Sequence, residues 1–268
     1  MNINKSMRAP HKKIIFKQSG SARMILAYHT LGNGVCFGGV RLLPANDWDS
    51  GFTDALRLSE AMTYKLALVN ALYGGCKAVV FAPEAGKTKE FLRDVGRLIE
   101  EEDGKFISAI DFGFEPDDAK IIKETTNYIL AIKDSVFGQS GVTTAYGILE
   151  GIKVTLKQVF GSDDISGRSF AVQGLGSAGS VLAKELVKAG GKVYVADLNA
   201  GRLKEFANIA TVVNQDEILY LNVDVLAPCG PAYIINKNTI PKLNCKIIAG
   251  AANCQLEDEV EDDRRLFE

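Results

Sequence analysis

Two hydrophobic periods alternate along this chain. Residues 13–17 (KIIFK) and 23–28 (RMILAY) are short apolar runs with Gly20 between them, so the chain is predicted to open with a strand hairpin. From 51 to 70 the period lengthens. Phe52, Ala55, Leu56, Leu58, Ala61, Met62 and Leu66 fall near a helical repeat. Residues 78–81 read as a short buried strand, 87–103 as an amphipathic helix closed by Gly104, and 106–110 as another strand. Pro116, Asp117 and Asp118 supply the proline and acids that suit a first helical turn.

The pattern breaks over 135–142, which reads as a loop, and a domain boundary is placed just beyond it, giving 1–142 and 143–268. A long helix is predicted for 143–160. An apolar run at 170–173 follows, then the turn Gly174-Leu175-Gly176-Ser177-Ala178-Gly179, a helical stretch, and a second β-type run at 192–196 ending at Asp197. Beyond lie a helix (202–207) and strands at 210–213, 223–227 and 246–249. Strands alternating with helices predict an α/β protein with a doubly wound parallel sheet in its second half. The charged stretch 257–268 reads as a solvated helix or a frayed tail.

The segment 170–197 carries chemistry. A strand, a G-x-G-x-x-G turn, a helix and a second strand form the context in which this spacing binds a dinucleotide. Gly174 permits the tight turn, Gly176 lets backbone approach a pyrophosphate, and Gly179 lets the helix pack close to the strand. With Ser177 and Ala178 they lead into a helix N-terminus whose free N–H groups attract phosphate. Asp197 is placed to accept from an adenosine ribose and to repel a 2′-phosphate, which predicts NAD rather than NADP.

Composition narrows the remaining classes. Of the 268 residues, 47% are hydrophobic and 24% charged, as in ordinary globular domains. A net charge of −2 gives no electrostatic case for nucleic acid or for an anionic membrane surface, and no apolar run is long enough to span a bilayer. The basic N-terminus lacks the apolar core of a secretory signal. Cys36, Cys76, Cys229, Cys245 and Cys254 are scattered and odd in number, with no C-x-x-C pair. No disulfide framework or metal site is expected, and reduced thiols in a cytoplasmic protein are the natural reading.

Three segments of the first half pair glycine turns or apolar runs with ionisable groups: Met62-Thr63-Tyr64-Lys65, Gly74-Gly75-Cys76-Lys77 and Ala109-Ile110-Asp111-Phe112-Gly113. Singly each has an ordinary explanation: Lys65 snorkelling from a helix, Lys77 solvated in a turn, Asp111 capping a helix. A lysine desolvated beside a second ammonium, however, loses its proton more readily and can act as a base, and a carboxylate nearby can shuttle that proton.

Together with G-G-V-R (38–41), T-A-Y-G (144–147), A-P-C (227–229) and A-G-A-A-N-C-Q-L (249–256), these motifs occur in the order of the amino-acid dehydrogenases. The chain resembles the leucine/phenylalanine/valine branch of the glutamate dehydrogenase superfamily from about residue 13 to about residue 265. The resemblance implies an N-terminal α/β substrate and oligomerisation domain, a Rossmann-type NAD domain, and homo-oligomers of two or more chains. It implies NAD-dependent oxidative deamination of an apolar L-amino acid to the 2-oxo acid, ammonia and NADH. By motif position, Lys65 would hold the substrate carboxylate. Lys77 would be the general base for the water that attacks the imine, and Asp111 would exchange protons with the amino group. Gly38, Gly39, Met62 and Ala109 would line the substrate site. Thr144 would approach the nicotinamide amide, Ala227 and Cys229 would border the cofactor, and Asn253 would contact cofactor or substrate. Closure of a cleft between the domains would exclude water.

The match departs from the family pattern at several points. Phe37 precedes the glycine pair where leucine-specific members carry a smaller aliphatic residue. Ile110 replaces an acid, Leu130 a threonine, and Cys254 an asparagine; the loop at 138–143 lacks the usual prolines. Family members continue beyond the position of Glu268 with a segment that supplies part of the side-chain pocket, so the chain reads as a fragment or a natural short form. Two further readings follow. One is a non-catalytic NAD-binding or regulatory homologue. The other is a biosynthetic dehydrogenase of an aromatic amino acid such as tryptophan or phenylalanine, for which Phe37 speaks.

Overall fold

Strand β4 (Gly74–Ala82) is the most enclosed element of the first half, and its alternation organises everything around it. In the computed structural model, which describes residues 10–130 and 140–268, β4 lies inside a six-stranded sheet. Its neighbours are β1 (Lys13–Ser19), β2 (Ala22–Tyr28), β3 (Cys36–Pro44), β5 (Phe106–Ile110) and β6 (Ile129–Leu130), in the order β1-β2-β4-β3-β5-β6. The β1–β2 and β2–β4 pairs are antiparallel; β4–β3, β3–β5 and β5–β6 are parallel. The hairpin expected around Gly20 is present, with that glycine at φ +51°.

Successive side chains of a strand face opposite sides, and here the two sides meet different helices. Met24, Leu26, Val40, Leu42, Ala78 and Val80 pack against Phe91, Val95 and Leu98 of α2 (Lys89–Glu100). Ile25, Ala27, Val79 and Phe81 pack against Ala55 and Leu56 of α1 (Trp48–Leu68). Helix α3 (Pro116–Ile122) adds Ile122 to the first of these cores.

Two sequence expectations change here. The chain forms β3, which hydropathy did not predict, because Gly38, Gly39 and Arg41 interrupt its apolar run. Strand β4 also begins four residues before the expected 78, so Gly74, Gly75 and Lys77 lie inside the sheet rather than in a turn. Glycine is required at 75: a Cβ there would come within 2.6 Å of Thr63 Cα on α1.

The chain divides into two compact units, Met1–Ser135 and Val136–Glu268, so all of α4 (Ser140–Phe160) belongs to the second. The loop expected at 135–142 falls largely outside the described residues. The second unit is a five-stranded, wholly parallel sheet of β7 (Ser169–Gln173), β8 (Lys192–Ala196), β9 (Thr211–Val212), β10 (Val223–Pro228) and β11 (Cys245–Ile248). Its order is β11-β10-β7-β8-β9. The first strand is central and the winding reverses between β7 and β10, the place where open α/β sheets bind ligands. Ile152 and Leu156 of α4 and Leu182 and Leu186 of α5 (Gly179–Lys188) cover one face. Helix α6 (Ala200–Phe206) follows β8, and the charged tail forms α7 (Glu261–Phe267), laced by Arg264–Glu261 and Arg265–Asp262 pairs. The sequence expectation of an α/β chain with a doubly wound second half is met.

The Gly75 contact yields a stability test. Gly75→Ala forces α1 away from β4 and costs about 1–3 kcal/mol, measured as a lower urea midpoint; an unchanged midpoint would contradict this packing.

Candidate active site

The face of the first sheet that meets α1 carries the ionisable groups. Gly39 and Arg41 on β3, Lys77 on β4, and Ala109 with the next same-face residue, Asp111, on and just beyond β5 have the odd-numbered phase that points toward α1. Gly39 pairs with Ala109 in register, and Asp111 is fixed by its N–H donating to Val40 O at 2.9 Å. A Cβ on Gly39 would lie 2.9 Å from Lys77 Nζ and 3.1 Å from Asp111 Cβ. The missing side chain is therefore the space in which these two groups meet. Lys77 Nζ donates a short hydrogen bond to Asp111 Oδ2. Arg41 Nε donates to the same oxygen at 3.2 Å, and its Nη1 donates to Asp54 Oδ2 on α1 at 2.7 Å.

Burial and charge oppose one another in this cluster. The Lys77 side chain is 6% exposed, which excludes the solvated-turn reading. Burial pushes its pKa down, Asp111 pulls it back up, and the like charges of Arg41 and Lys65 lower it again; the net shift is downward. Burial pushes Asp111 up, but the cations of Lys77 and Arg41 outweigh it and hold the carboxyl at about 2. Arg41 moves upward, because Asp111 and Asp54 overcome its own desolvation. The result is an ionised carboxylate touching an ammonium that surrenders its proton more readily than a free lysine.

Lys65 lies in the last turn of α1, where a cation suits the helix dipole, and is exposed. Its turn is seated on β4 through Thr63, whose Oγ1 is hydrogen-bonded to Thr30 Oγ1 (3.1 Å) and His29 Nδ1 (3.0 Å). Thr30 Oγ1 in turn accepts from Gly75 N at 3.1 Å. Met62 is half-buried on the same turn. Phe37, two residues before Gly39 on the same face, packs on Tyr73 with ring centroids 4.6 Å apart. Gly38 faces the other way and lets β3 approach Cys76. Ile110 also faces the α2 core, so that departure from the family pattern leaves the ionisable face untouched. Leu130 pairs with Ala109 and is half-exposed.

Two members of this cluster, Arg41 and Asp54, were missed as site residues by sequence reasoning. Arg41 had a usable signal, because it stands two residues beyond Gly39 and so shares its face. Asp54 had none, since a single acid on an amphipathic helix reads as solvated.

In the second unit the three glycines of the turn differ in their surroundings. Gly174 has φ +91° and passes 2.7 Å, measured from a notional Cβ, from Gly230 Cα; Gly176 has open space beside it; Gly179 would meet Cys229 Cβ at 2.9 Å. Ser177 and Ala178 complete the turn into α5, and Gly141 on the first turn of α4 packs against Ser177. Thr144 is exposed on that same part of α4. Ala227 is the penultimate residue of β10, and Cys229 N donates to Gln173 O at 2.7 Å. Burial pushes the Cys229 thiol up to about 11, so it stays protonated. Asn253 lies in the segment after β11 that Ala252 N ties to Pro228 O at 2.8 Å. The segments after β7, β10 and β11 are thus tied to one another, and Gly176 leaves open space in the turn, an arrangement that fits a dinucleotide.

Asp197 does more than end β8. Its oxygens accept from Leu175 N at 2.6 Å, inside the glycine turn, and from Asn199 N at 2.7 Å. Burial alone would raise its pKa; these N–H groups and Arg202 lower it, leaving an ionised carboxylate with lone pairs to spare for ribose hydroxyls. Among the described residues there is no cluster of His, Cys, Asp or Glu suited to a metal, and no helix is long and apolar enough to cross a membrane.

Known proteins resemble this chain over most of its length. Residues 6–128 match the family described as Glu/Leu/Phe/Val dehydrogenase, dimerisation domain. The chain is 36% identical over 262 residues to phenylalanine dehydrogenase of Lysinibacillus sphaericus, covering 93% of this chain and 69% of that protein. It is 36% identical over 264 residues to leucine dehydrogenase of Bacillus cereus, covering 94% and 71%. The crystal structure of L-tryptophan dehydrogenase from Nostoc punctiforme superposes with a TM-score of 0.73 at 36% identity, covering 96% of this chain and 75% of that one.

The depressed Asp111 pKa makes a pH prediction. Its ionic contacts contribute fully above about pH 3.8, the unfolded value, and are lost as pH falls through about 2. The stability advantage of the parent over Asp111→Asn should therefore shrink by roughly 2 kcal/mol between pH 4 and 2. A gap that stays constant in acid urea titrations would show that Asp111 is not held ionised.

Proposed function

Because this chain belongs to the Glu/Leu/Phe/Val dehydrogenase family and is an amino-acid dehydrogenase, we infer that it oxidatively deaminates an apolar L-amino acid with NAD, through Lys65, Lys77 and Asp111. The observation that carries these roles is the buried Lys77–Asp111 pair with the Lys65 charge felt at Lys77. Lys65 binds the substrate carboxylate by charge-assisted hydrogen bonding. Gly39, Met62 and Ala109 border the substrate, Gly38 contributes backbone only because its Cα faces Cys76, and Phe37 with Tyr73 forms an aromatic wall near its side chain. Asp111, ionised in the resting site, takes a proton from the substrate ammonium. The nicotinamide, when bound, supplies the acceptor for the hydride leaving Cα. Lys77 in its neutral form then accepts a proton from the water that adds to the imine carbon, and returns one to the departing ammonia. These steps give the 2-oxo acid.

The cofactor is held by Gly174, Gly176, Ser177, Ala178 and Gly179 at the N-terminus of α5, with Thr144, Ala227, Cys229 and Asn253 around the nicotinamide half. Asp197 supports NAD over NADP, since a fixed carboxylate repels a 2′-phosphate. The five free cysteines support a reducing, cytoplasmic setting. Strand β1 is a sheet edge with Ile14 and Phe16 exposed, which supports a homo-oligomer built through the first unit.

Purified protein should form NADH from NAD and one or more members of a panel of aliphatic and aromatic L-amino acids at alkaline pH, and little NADPH when NADP replaces NAD. Lys77→Ala should lower kcat about 10²–10⁴-fold with NAD affinity unchanged. Absence of NADH with every amino acid, while NAD still binds, would favour the non-catalytic alternative. Sedimentation should show a dimer or larger, and Phe16→Glu should shift it toward monomer; a monomeric parent would refute the edge-strand assembly.

A further inference from the structure

Asp111 Oδ2 is shared. Lys77 Nζ donates to it from β4, and Arg41 Nε donates to it from β3 at 3.2 Å. Arg41 reaches it as a braced group, because its Nη1 is fixed to Asp54 on α1 at 2.7 Å. The guanidinium and both its carboxylates are largely buried, with side-chain exposures of 16%, 16% and 27% for Arg41, Asp54 and Asp111. A planar fork fixed at two points is something a lysine cannot reproduce. One carboxylate oxygen thus receives two cationic donors, and only one of the two, Lys77, can release its proton at accessible pH.

We propose that Arg41 is a positioning residue: braced by Asp54, it holds Asp111 in place beneath Gly39 and takes a share of its charge, so that Lys77 is bound less tightly as a cation and is available as a base. The proposal rests on the reading of Lys77 as the general base.

The charges facing Lys77 all act in one direction when Arg41 is removed. Asp111 becomes an undivided partner for the Lys77 ammonium, Asp54 becomes an unneutralised anion nearby, and the repulsion from Arg41 disappears. Lys65 on α1 is unaffected, and the adjacent Cys76 thiol is held protonated by its burial. Each change favours the protonated lysine. Shortening the side chain also admits water, which favours the charged form again.

The test is a titration of Lys77 by NMR in protein carrying ¹³C-labelled lysine, with its resonance assigned by its loss in Lys77→Arg. In Arg41→Met the Lys77 midpoint should rise by about one pH unit or more. Arg41→Lys, which keeps the charge but loses the fork, should fall between parent and Arg41→Met. In turnover, the pH at which kcat/KM reaches its plateau should rise by the same amount, so that activity below the plateau drops about tenfold while the plateau itself changes less. Identical Lys77 midpoints in parent and Arg41→Met would overturn the proposal, as would a uniform loss of activity at every pH. A shifted midpoint in a protein that shows no turnover would leave the Arg41 assignment standing and remove the dehydrogenase reading of the site instead.

Discussion

The first unit depends on placing an ammonium on a sheet face that is otherwise apolar. Lys77 shares that face with Ile25, Ala27, Val79 and Phe81, which pack on α1. A buried cation there is tolerable only beside a fixed anion, and removing one partner of such a pair costs about 3–5 kcal/mol. Asp111 must therefore sit within hydrogen-bond reach of Lys77 although β3 runs between their strands. The solution is subtraction: β3 carries glycine at 39, so lysine and aspartate meet across the strand that separates them. The same subtraction at Gly75 brings α1, and with it Lys65, down onto β4.

The second unit uses the same device. Gly174 turns the chain, Gly176 leaves open space beside the backbone, and Gly179 admits the loop after β10. Asp197 adds a constraint of its own. By accepting from Leu175 N it ties the end of β8 to the turn after β7, so one carboxylate fixes the shape of the glycine turn.

Legibility in the sequence followed the length and purity of each pattern. The hairpin, α1, α2, β5 and the βαβ unit of 170–197 have clean periods or strong punctuation, and their presence could be read directly. Strand β3 was lost because Gly38, Gly39 and Arg41 break its apolar run. The start of β4 was read as a turn for the same reason. Lys77, Asp111 and Lys65 stood out by motif, whereas Arg41 was visible only inside a motif without a role, and Asp54 resembled any solvated helix acid until α1 was placed on the sheet.

The sequence by itself determined the α/β class, the glycine turn with its acid, and the set of lysines and aspartate that mark the family, because these depend on spacing along one strand, turn or helix. Tertiary structure decided which of those groups touch. Lys77 and Asp111 are thirty-four residues apart in sequence, and Arg41 and Asp54 join them from two further elements. Their charges are set by burial and by mutual distance, and both quantities exist only once β3, β4, β5 and α1 share one face.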